Sequence, residues 1–247
     1  MHNLGNTRSS HQANHLLLTP DTFVHTTLPG MRGCTAIVHA GPALGARFTE
    51  YTAEFEAAGE MVDTRAQRFI FVVEGKIKLE TPDRQFKLGP RGFAYAPEAL
   101  THRITAAQKS RVVVIEKSYE FLAGSAPPHL IVSHEDKVSS QPLGDDLALQ
   151  VKCLLPDEMS FDFAVNTMVY QPGAALSMVE MHVMEHGLIM LEGGGIYRLG
   201  DCWYPVTAGD FIWMAPWCPQ WFGAIGKVPA KYLLYKDSNR HPLAGRT

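Results

Sequence analysis

Hydrophobic residues along the chain fall into short runs that glycine and proline interrupt. The runs are rich in Val, Ile, Phe and Tyr and read RFIFVVEG, KIKLE, GFAYAP, RVVVIEKSY, GLIMLEGG, GIYRLG, GDFIWMAP and KYLLYKD. Such runs are typical of β-strands that end at tight turns. Windows with the apolar period of an α-helix are rare, so the pattern predicts an all-β protein with few, short helices.

The order of these runs repeats along the chain. FIFVVEGKIKLE is followed by GFAYAP and VVVIEK, just as LIMLEGGGIYRL is followed by DFIWMAP and YLLYK. Three pairs of positions share one offset of 118 residues, namely Gly75 with Gly193, Phe93 with Phe211, and His102 with Gln220. The sequence therefore predicts one fold made twice, as a small antiparallel barrel or jelly roll.

The segment between the two halves has the composition of a linker. It reads EFLAGSAPPHLIVSHEDKVSSQPLGDD and is rich in Pro, Ser, Gly and charged residues. We therefore predict an N-terminal domain in residues 1–125 and a C-terminal domain in residues 126–247.

Composition and charge narrow the classes of function. The 247 residues are 46% hydrophobic, and their net charge of -3 comes from 22 basic and 25 acidic residues scattered along the chain. This argues against nucleic acid and membrane partners. The opening MHNLGNTRSSHQANHLLLTP has too short an apolar patch for a signal peptide or a membrane span, so we expect a cytoplasmic protein. The four cysteines show no CxxC spacing, which gives no support for a zinc knuckle or a redox motif.

Three side chains able to bind a metal lie close together in MVEMHVMEHGLIMLEGGG, which spans residues 178–195. On a β-strand Glu180, His182 and His186 project from the same face, with the first two about 6.6 Å apart. A hairpin of a barrel then aims all three into its interior. A helix is the alternative, because His182 and His186 stand four residues apart, but it puts Glu180 on another face and lacks the HExxH glutamate. We favour the strand.

The second half resembles the two metal-binding motifs of the cupin superfamily. Its first motif reads Glu180-x-His182-x3-His186, and its second runs through GDFIWMAPWCP to Gln220. Cupins commonly carry His-x-His, then Glu, and a later His, whereas here the residue types are permuted. The permuted set is similar to that of the (S)-ureidoglycine aminohydrolase family, and LLLTPDTFV, LPGMRGC and KDSNR extend the resemblance over nearly the whole chain. The resemblance implies a bicupin of two jelly-roll barrels.

The resemblance also implies that Glu180, His182, His186 and Gln220 bind one divalent metal ion. Two imidazoles, a carboxylate and a carboxamide oxygen favour octahedral Mn²⁺ or Fe²⁺ over a structural tetrahedral Zn²⁺. The family favours manganese. Four protein donors leave two octahedral positions for a chelating substrate, or for a substrate and a water.

The first half lacks this set of donors. At the offset of 118 residues, the positions of Glu180, His182, His186 and Gln220 hold Val62, Thr64, Arg68 and His102. We interpret His102, beside Arg68, as a hydrogen-bonded core or interface residue. The sequence thus predicts one metal per chain, in the second barrel, with the first barrel as scaffold and oligomer surface.

The family resemblance implies further residues of a reaction site. Lys236, in KYLLYKD, takes the place of a lysine that the family uses near the metal, although Lys117 ends the corresponding run of the first half and an ordinary strand-end lysine is the alternative. Tyr197 and Tyr232 take positions that face the substrate, with plain packing as the alternative. Glu180 is a candidate base as well as a metal ligand.

From the resemblance we expect a hydrolase that converts (S)-ureidoglycine, a product of purine breakdown, to (S)-ureidoglycolate and ammonia. Two other classes stay open at this point. One is another metal-dependent bicupin enzyme, such as an Fe²⁺ dioxygenase or a sugar isomerase, and the other is a non-enzymatic cupin module that binds a small molecule. Symmetric oligomers are common among bicupins, so a homo-oligomer is expected.

Overall fold

Strands make up nearly all of the regular structure. The structure of the chain, a computed structural model, describes residues 6–240. The first twelve strands are β1 (Ser10–Gln12), β2 (His15–Leu18), β3 (His25–Thr26), β4 (Met31–Ala40), β5 (Thr49–Val62), β6 (Gln67–Glu74), β7 (Ile77–Glu80), β8 (Gln85–Leu88), β9 (Gly92–Ala96), β10 (Arg103–Ala106), β11 (Ser110–Lys117) and β12 (Ile131–His134). The later strands are β13 (Gln141–Leu143), β14 (Asp146–Cys153), β15 (Phe163–Tyr170), β16 (His186–Glu192), β17 (Gly194–Leu199), β18 (Cys202–Thr207), β19 (Phe211–Met214), β20 (Gln220–Ala224) and β21 (Ala230–Asp237).

Helical structure within residues 6–240 is confined to single turns. Three short 3₁₀ segments occur, at Pro20–Thr22, Pro42–Leu44 and Glu135–Lys137. In this part of the chain, no helix has the length and hydropathy needed to cross a bilayer. The predicted all-β fold with few, short helices is confirmed.

The described chain divides into two compact units. The N-terminal unit comprises Val24–Val138 and Glu158–Phe161. The C-terminal unit comprises Ser139–Asp157, the described residues up to Phe23, and those from Asp162 onward. These limits differ from the boundary predicted between residues 125 and 126, because β2 and β12 each pair with a strand on the far side of that boundary.

A single antiparallel sheet forms the N-terminal unit. Its strands follow the order β12, β9, β6, β11, β5, β10, β7 and β8, with β4 beside β5 and β3 beside β4. Alternate residues of β5, Tyr51, Ala53 and Phe55, turn into the core, where Tyr51 and Ala53 lie opposite Val114 and Val112 of β11. This period of two is the one that a strand with one face in the core produces.

Two sheets form the C-terminal unit. The larger has the order β1, β2, β19, β16, β21, β15, β14 and β13, and the smaller has the order β18, β17 and β20. Phe222 of β20 carries the contact between them, since its ring centroid lies 4.9 Å from that of Tyr170 on β15 and 5.8 Å from that of Tyr232 on β21. The core of this unit therefore lies between the two sheets.

The repeated glycines of the sequence mark the same turn in both units. Gly75 separates β6 from β7 with a φ of 77°, and Gly193 separates β16 from β17 with a φ of 64°. A side chain at either position would also collide with a backbone carbonyl oxygen, that of Lys109 or that of Pro229. Only glycine combines a positive φ with so close an approach of another strand.

The strands β2 and β12 complete sheets that lie outside their own half of the sequence. β2 pairs with β19, with Leu17 opposite Ile212. β12 pairs with β9, with Val132 opposite Ala94. Each thereby covers an edge that would expose unpaired backbone groups. Leu17 is fully buried in the core of the C-terminal unit, so this pairing also supplies hydrophobic contacts.

The N-terminal unit holds a buried cation, Arg68 on β6, which is 1% exposed. Its Nε donates to Oε1 of Glu116 at 2.7 Å, and its Nη1 donates to the carbonyl of Val62 and to Nε2 of His102, both at 2.9 Å. His102 accepts through Nε2 because its Nδ1 donates to the carbonyl of Leu100 at 2.8 Å. Burial lowers the pKa of His102, which keeps the imidazole neutral. The hydrogen-bonded His102 predicted beside Arg68 is confirmed.

Leu17→Ala is expected to lower the free energy of unfolding of the C-terminal unit by about 2–5 kcal/mol, the usual cost of a cavity in a packed core. All four tryptophans lie between Trp203 and Trp221, so tryptophan fluorescence during urea unfolding reports on this unit. Leu147→Ala, at a side chain that is 78% exposed, is the control and should change the midpoint little. Equal midpoints for the two variants would contradict the role of β2.

Arg68→Met is expected to destabilise the N-terminal unit by roughly 3 kcal/mol, because it leaves Glu116 beside an apolar side chain without its partner. This loss of stability is at the low end for a buried ion pair that loses one partner, since the Glu116 side chain keeps 16% of its surface exposed. Urea unfolding followed by circular dichroism measures it. Arg103→Met removes an ion pair to Glu60 from a side chain that is 56% exposed, and should cost at most about 1 kcal/mol. A loss no larger for Arg68 than for Arg103 would show that the buried cation is dispensable.

Candidate active site

All of the predicted site residues line one cavity of the C-terminal unit. The cavity has a volume of about 280 Å³. Its polar lining residues are Asn166, Glu180, His182, His186, Tyr197, Gln220, Tyr232 and Lys236. A larger cavity of about 470 Å³ in the N-terminal unit has Glu158 as its one ionisable lining residue. The smaller cavity thus combines the carboxylate, imidazole, carboxamide, phenol and amine groups of the predicted site.

Strand pairing places His186 and Lys236 side by side. His186 begins β16 and pairs with Lys236 of β21 on one side and with Met214 of β19 on the other. Directly opposed residues of an antiparallel pair have Cα atoms about 4.5–5.5 Å apart. Because β16 is held between two strands, the two side chains enter the cavity from fixed neighbouring positions.

Glu180 and His182 lie on a loop rather than on the strand predicted for them. β16 begins only at His186, and Glu180 forms an isolated bridge to Gln220, in which each N–H donates to the other carbonyl at 2.8 Å. The N–H of Trp217 donates to the carbonyl of His182 at 2.7 Å. These long-range hydrogen bonds hold the segment extended, so both the strand prediction and the helical alternative are wrong here. All three predicted side chains nevertheless face the cavity.

The imidazole of His186 is ready to act as a ligand. Its Nδ1 donates to the carbonyl of Met184 at 3.1 Å, which leaves the lone pair of Nε2 free for a cation. Burial, then the neighbouring His182 and Lys236, lowers the pKa of His186 to about 3, so the ring is neutral. The ring centroid of His182 lies 5.3 Å from that of His186.

Tyrosine hydroxyls border the same cavity. The hydroxyl of Tyr197 donates to Oε1 of Gln220 at 3.0 Å, which fixes the orientation of that carboxamide. The hydroxyls of Tyr170 and Tyr232 lie 2.8 Å apart. Burial raises the pKa of both Tyr197 and Tyr232 well above the usual value, so both remain neutral phenols. They are hydrogen-bonding groups and not bases.

The donor set fits a divalent cation in its chemistry. Glu180, His182, His186 and Gln220 offer a carboxylate, two imidazoles and a carboxamide oxygen around one cavity. Oε2 of Glu180 lies 3.2 Å from Nε2 of His182, a separation that suits two adjacent ligands of one octahedral ion. Within residues 6–240, no three His, Cys, Asp or Glu side chains lie close enough together to form a metal cluster by themselves, and the proposed set includes Gln220 as its fourth donor.

Sequence reasoning missed several residues of the lining. Asn166 and Met168 of β15, Cys153 of β14 and Leu234 of β21 all border the cavity. One signal for Asn166 was present, because in FAVNTMVY it shares the strand parity of Met168 and Tyr170, which are buried in the core. A polar residue on the core face of a strand is a candidate for binding.

The N-terminal unit carries a different set at the equivalent register. Arg68 pairs with Glu116 and Ala96 as His186 pairs with Lys236 and Met214. The counterpart of Lys236 is therefore Glu116 and not Lys117, which corrects the alignment of the two runs made from the sequence. The guanidinium of Arg68 stands where the C-terminal unit has the imidazole of His186.

Comparison with known proteins identifies the family. A cupin domain is matched over residues 166–235. The (S)-ureidoglycine aminohydrolase of Arabidopsis thaliana is 42% identical over 97% of this chain and 80% of its own length, and that of Escherichia coli is 30% identical over 92% and 89%. The crystal structure of protein Ylba from E. coli superposes with a TM-score of 0.85 at 28% identity, over 96% of this chain and 97% of that one. The chain belongs to the (S)-ureidoglycine aminohydrolase family of cupin proteins.

Proposed function

We propose that this protein is a manganese-dependent hydrolase that converts (S)-ureidoglycine to (S)-ureidoglycolate and ammonia, in the breakdown of purines through allantoin. The relatives that carry this name support the reaction. The location of the active site rests on the pairing of His186 with Lys236. This pairing puts a neutral imidazole beside a primary amine on the wall of a small cavity. Pockets for drug-sized ligands begin at ~300 Å³, so a cavity of this size suits a small metabolite.

Four side chains would hold the metal ion, namely Glu180, His182, His186 and Gln220. When bound, a divalent ion supplies Lewis acidity and a template for a chelating group. The mixed nitrogen and oxygen set suits Mn²⁺ and Fe²⁺ alike, and the family resemblance favours Mn²⁺. Tyr197 supports this role from outside the set, because its hydrogen bond keeps Oε1 of Gln220 turned toward the cavity.

The reaction breaks one C–N bond and forms one C–O bond. The lone pair of the substrate's ureido nitrogen assists the departure of the amine. Lys236 donates a proton to this amine, which then leaves as ammonia. Water then adds to the carbon, and Glu180 accepts the proton that the water loses. Tyr232 orients the substrate through its hydroxyl. In this proposal Lys236 and Glu180 are the catalytic residues, and Tyr197 and Tyr232 line the substrate site.

The cellular setting belongs to the same proposal. We infer a cytoplasmic homo-oligomer that acts on a small molecule, without nucleic acid or membrane partners. Its chemistry distinguishes it from the iron dioxygenases and sugar isomerases that share the cupin fold, because hydrolysis consumes neither dioxygen nor a sugar.

Purified protein that is loaded with Mn²⁺ is expected to release ammonia from freshly made (S)-ureidoglycine, and not from allantoate or ureidoglycolate.

His186→Ala should lose both the bound metal and the activity, since it removes the ligand whose lone pair is already oriented. Elemental analysis of the purified variant measures the metal directly. His25→Ala, at an exposed histidine of the N-terminal unit, is the control and should keep both. Full metal content in His186→Ala would exclude this residue as a ligand, and oxygen uptake by the wild type would favour a dioxygenase.

Lys236→Ala is expected to fold and to retain the metal, but to lose turnover by roughly 10²–10⁴-fold, the usual contribution of a positioned proton donor. Initial rates of ammonia release, together with metal content, test this. Lys227→Ala changes an exposed lysine of the same unit and should behave as the wild type. Wild-type rates in Lys236→Ala would remove the lysine from the mechanism.

A further inference from the structure

We propose that Asn166 recognises the ureido group of the substrate and so determines specificity. The inference rests on the proposed function and adds a residue that neither the motif nor the ligand set identifies. Asn166 lies on β15 and lines the cavity that holds the candidate metal ligands.

The carboxamide of Asn166 borders the cavity and has no hydrogen-bond partner in the described part of the protein. The residue is 7% exposed, and no side chain or backbone group in residues 6–240 hydrogen-bonds to its amide. Nearly all polar groups inside native proteins are hydrogen-bonded, either to the protein or to ordered water. Because this amide faces a cavity, its partner has to enter the cavity from outside the protein.

The register of β15 places this amide between two groups of the proposed reaction. Asn166 lies directly opposite Leu234 of β21, and Tyr232 and Lys236 stand two residues to either side on the same face. Diagonal neighbours in an antiparallel pair remain within reach of longer side chains. A molecule that contacts the amine of Lys236 therefore extends past Asn166 when it lies along β21.

The chemistry of the amide points to a neutral planar group. A carboxamide offers two N–H donors and one carbonyl acceptor in one plane, and carries no charge. A ureido group presents N–H donors and a carbonyl acceptor in one plane as well, so the two are complementary. The carboxylate of the substrate has cationic counterparts elsewhere in the lining, in Lys236 and in the ion that Glu180 would help to hold.

This recognition would distinguish the substrate from other molecules, because a molecule without a ureido group leaves the amide of Asn166 without a hydrogen bond. A chelating acid without a ureido group would bury the amide of Asn166 again without a partner. Sites built around such hydrogen bonds reject analogues that lack them far more strongly than apolar pockets do. Asn166 is thus a specificity residue and takes no part in proton transfer.

The test compares the kinetics of two Asn166 variants with those of the wild type on (S)-ureidoglycine. Asn166→Leu keeps the side-chain size and removes the hydrogen bonds, and it should lower kcat/KM by roughly 10–100-fold, mainly through KM, with the manganese content unchanged. Asn166→Ala serves if the leucine variant folds poorly, and should give the same direction of change. Val169→Ala alters the opposite face of β15 and is the matched control.

Ligand binding provides a measurement that would not change if Asn166 had a purely structural role. Calorimetry on the manganese-loaded protein should show (S)-ureidoglycolate binding at least roughly tenfold more tightly than glycolate, which lacks the ureido group. Asn166→Leu should lose this preference and keep its affinity for glycolate. An unchanged preference in the variant would overturn the inference.

The two proposals fail in different ways. A wild type that releases no ammonia from (S)-ureidoglycine overturns the proposed function, whatever the variants do. A wild type that releases ammonia, with an Asn166→Leu variant whose kcat/KM stays within about threefold of it, leaves the function standing and removes Asn166 as a specificity residue.

Discussion

The antiparallel pairing of β21 between β15 and β16 is the constraint on which the candidate site depends. It sets Lys236 opposite His186 on one side and Ala164 on the other. Tyr232 and Leu234 follow on the same face, where they pack in the core of the C-terminal unit. A slip of one residue would turn this whole face outward and expose its apolar side chains, so burial of the core also fixes the register of the site. Stability and chemistry are set here by the same pairing.

The two units use one scaffold with opposite distributions of charge. In the N-terminal unit the cation, Arg68, lies on β6 and a carboxylate, Glu116, lies on β11. In the C-terminal unit the corresponding strand β16 carries a neutral imidazole, and β21 carries the amine of Lys236. The guanidinium satisfies the acceptors around it from within the chain. Where a neutral imidazole takes its place, the acceptors would be available to the cation that we propose for the C-terminal unit.

The pairing of β2 and β12 with strands from the other half of the sequence explains why the limits of the two units differ from the predicted boundary. The repeat of apolar runs gives the correct strands and the glycine turns at Gly75 and Gly193, because alternation and turn chemistry are local. It does not show that β2 completes the sheet of the C-terminal unit or that β12 completes that of the N-terminal unit. Partner choice depends on which sheet edge is open, and that property belongs to the folded unit.

The sequence by itself determined the all-β class, the repeated unit and the identity of the chemical groups, because these follow from residue type and spacing. Tertiary structure decided the path of the loop at Glu180 and His182, since hydrogen bonds from Gln220 and Trp217 hold it and local propensity does not. It also decided that Glu116 corresponds to Lys236, and that Asn166 joins the cavity. Distances across a sheet are set by strand order and register, which bring together residues that are far apart along the chain.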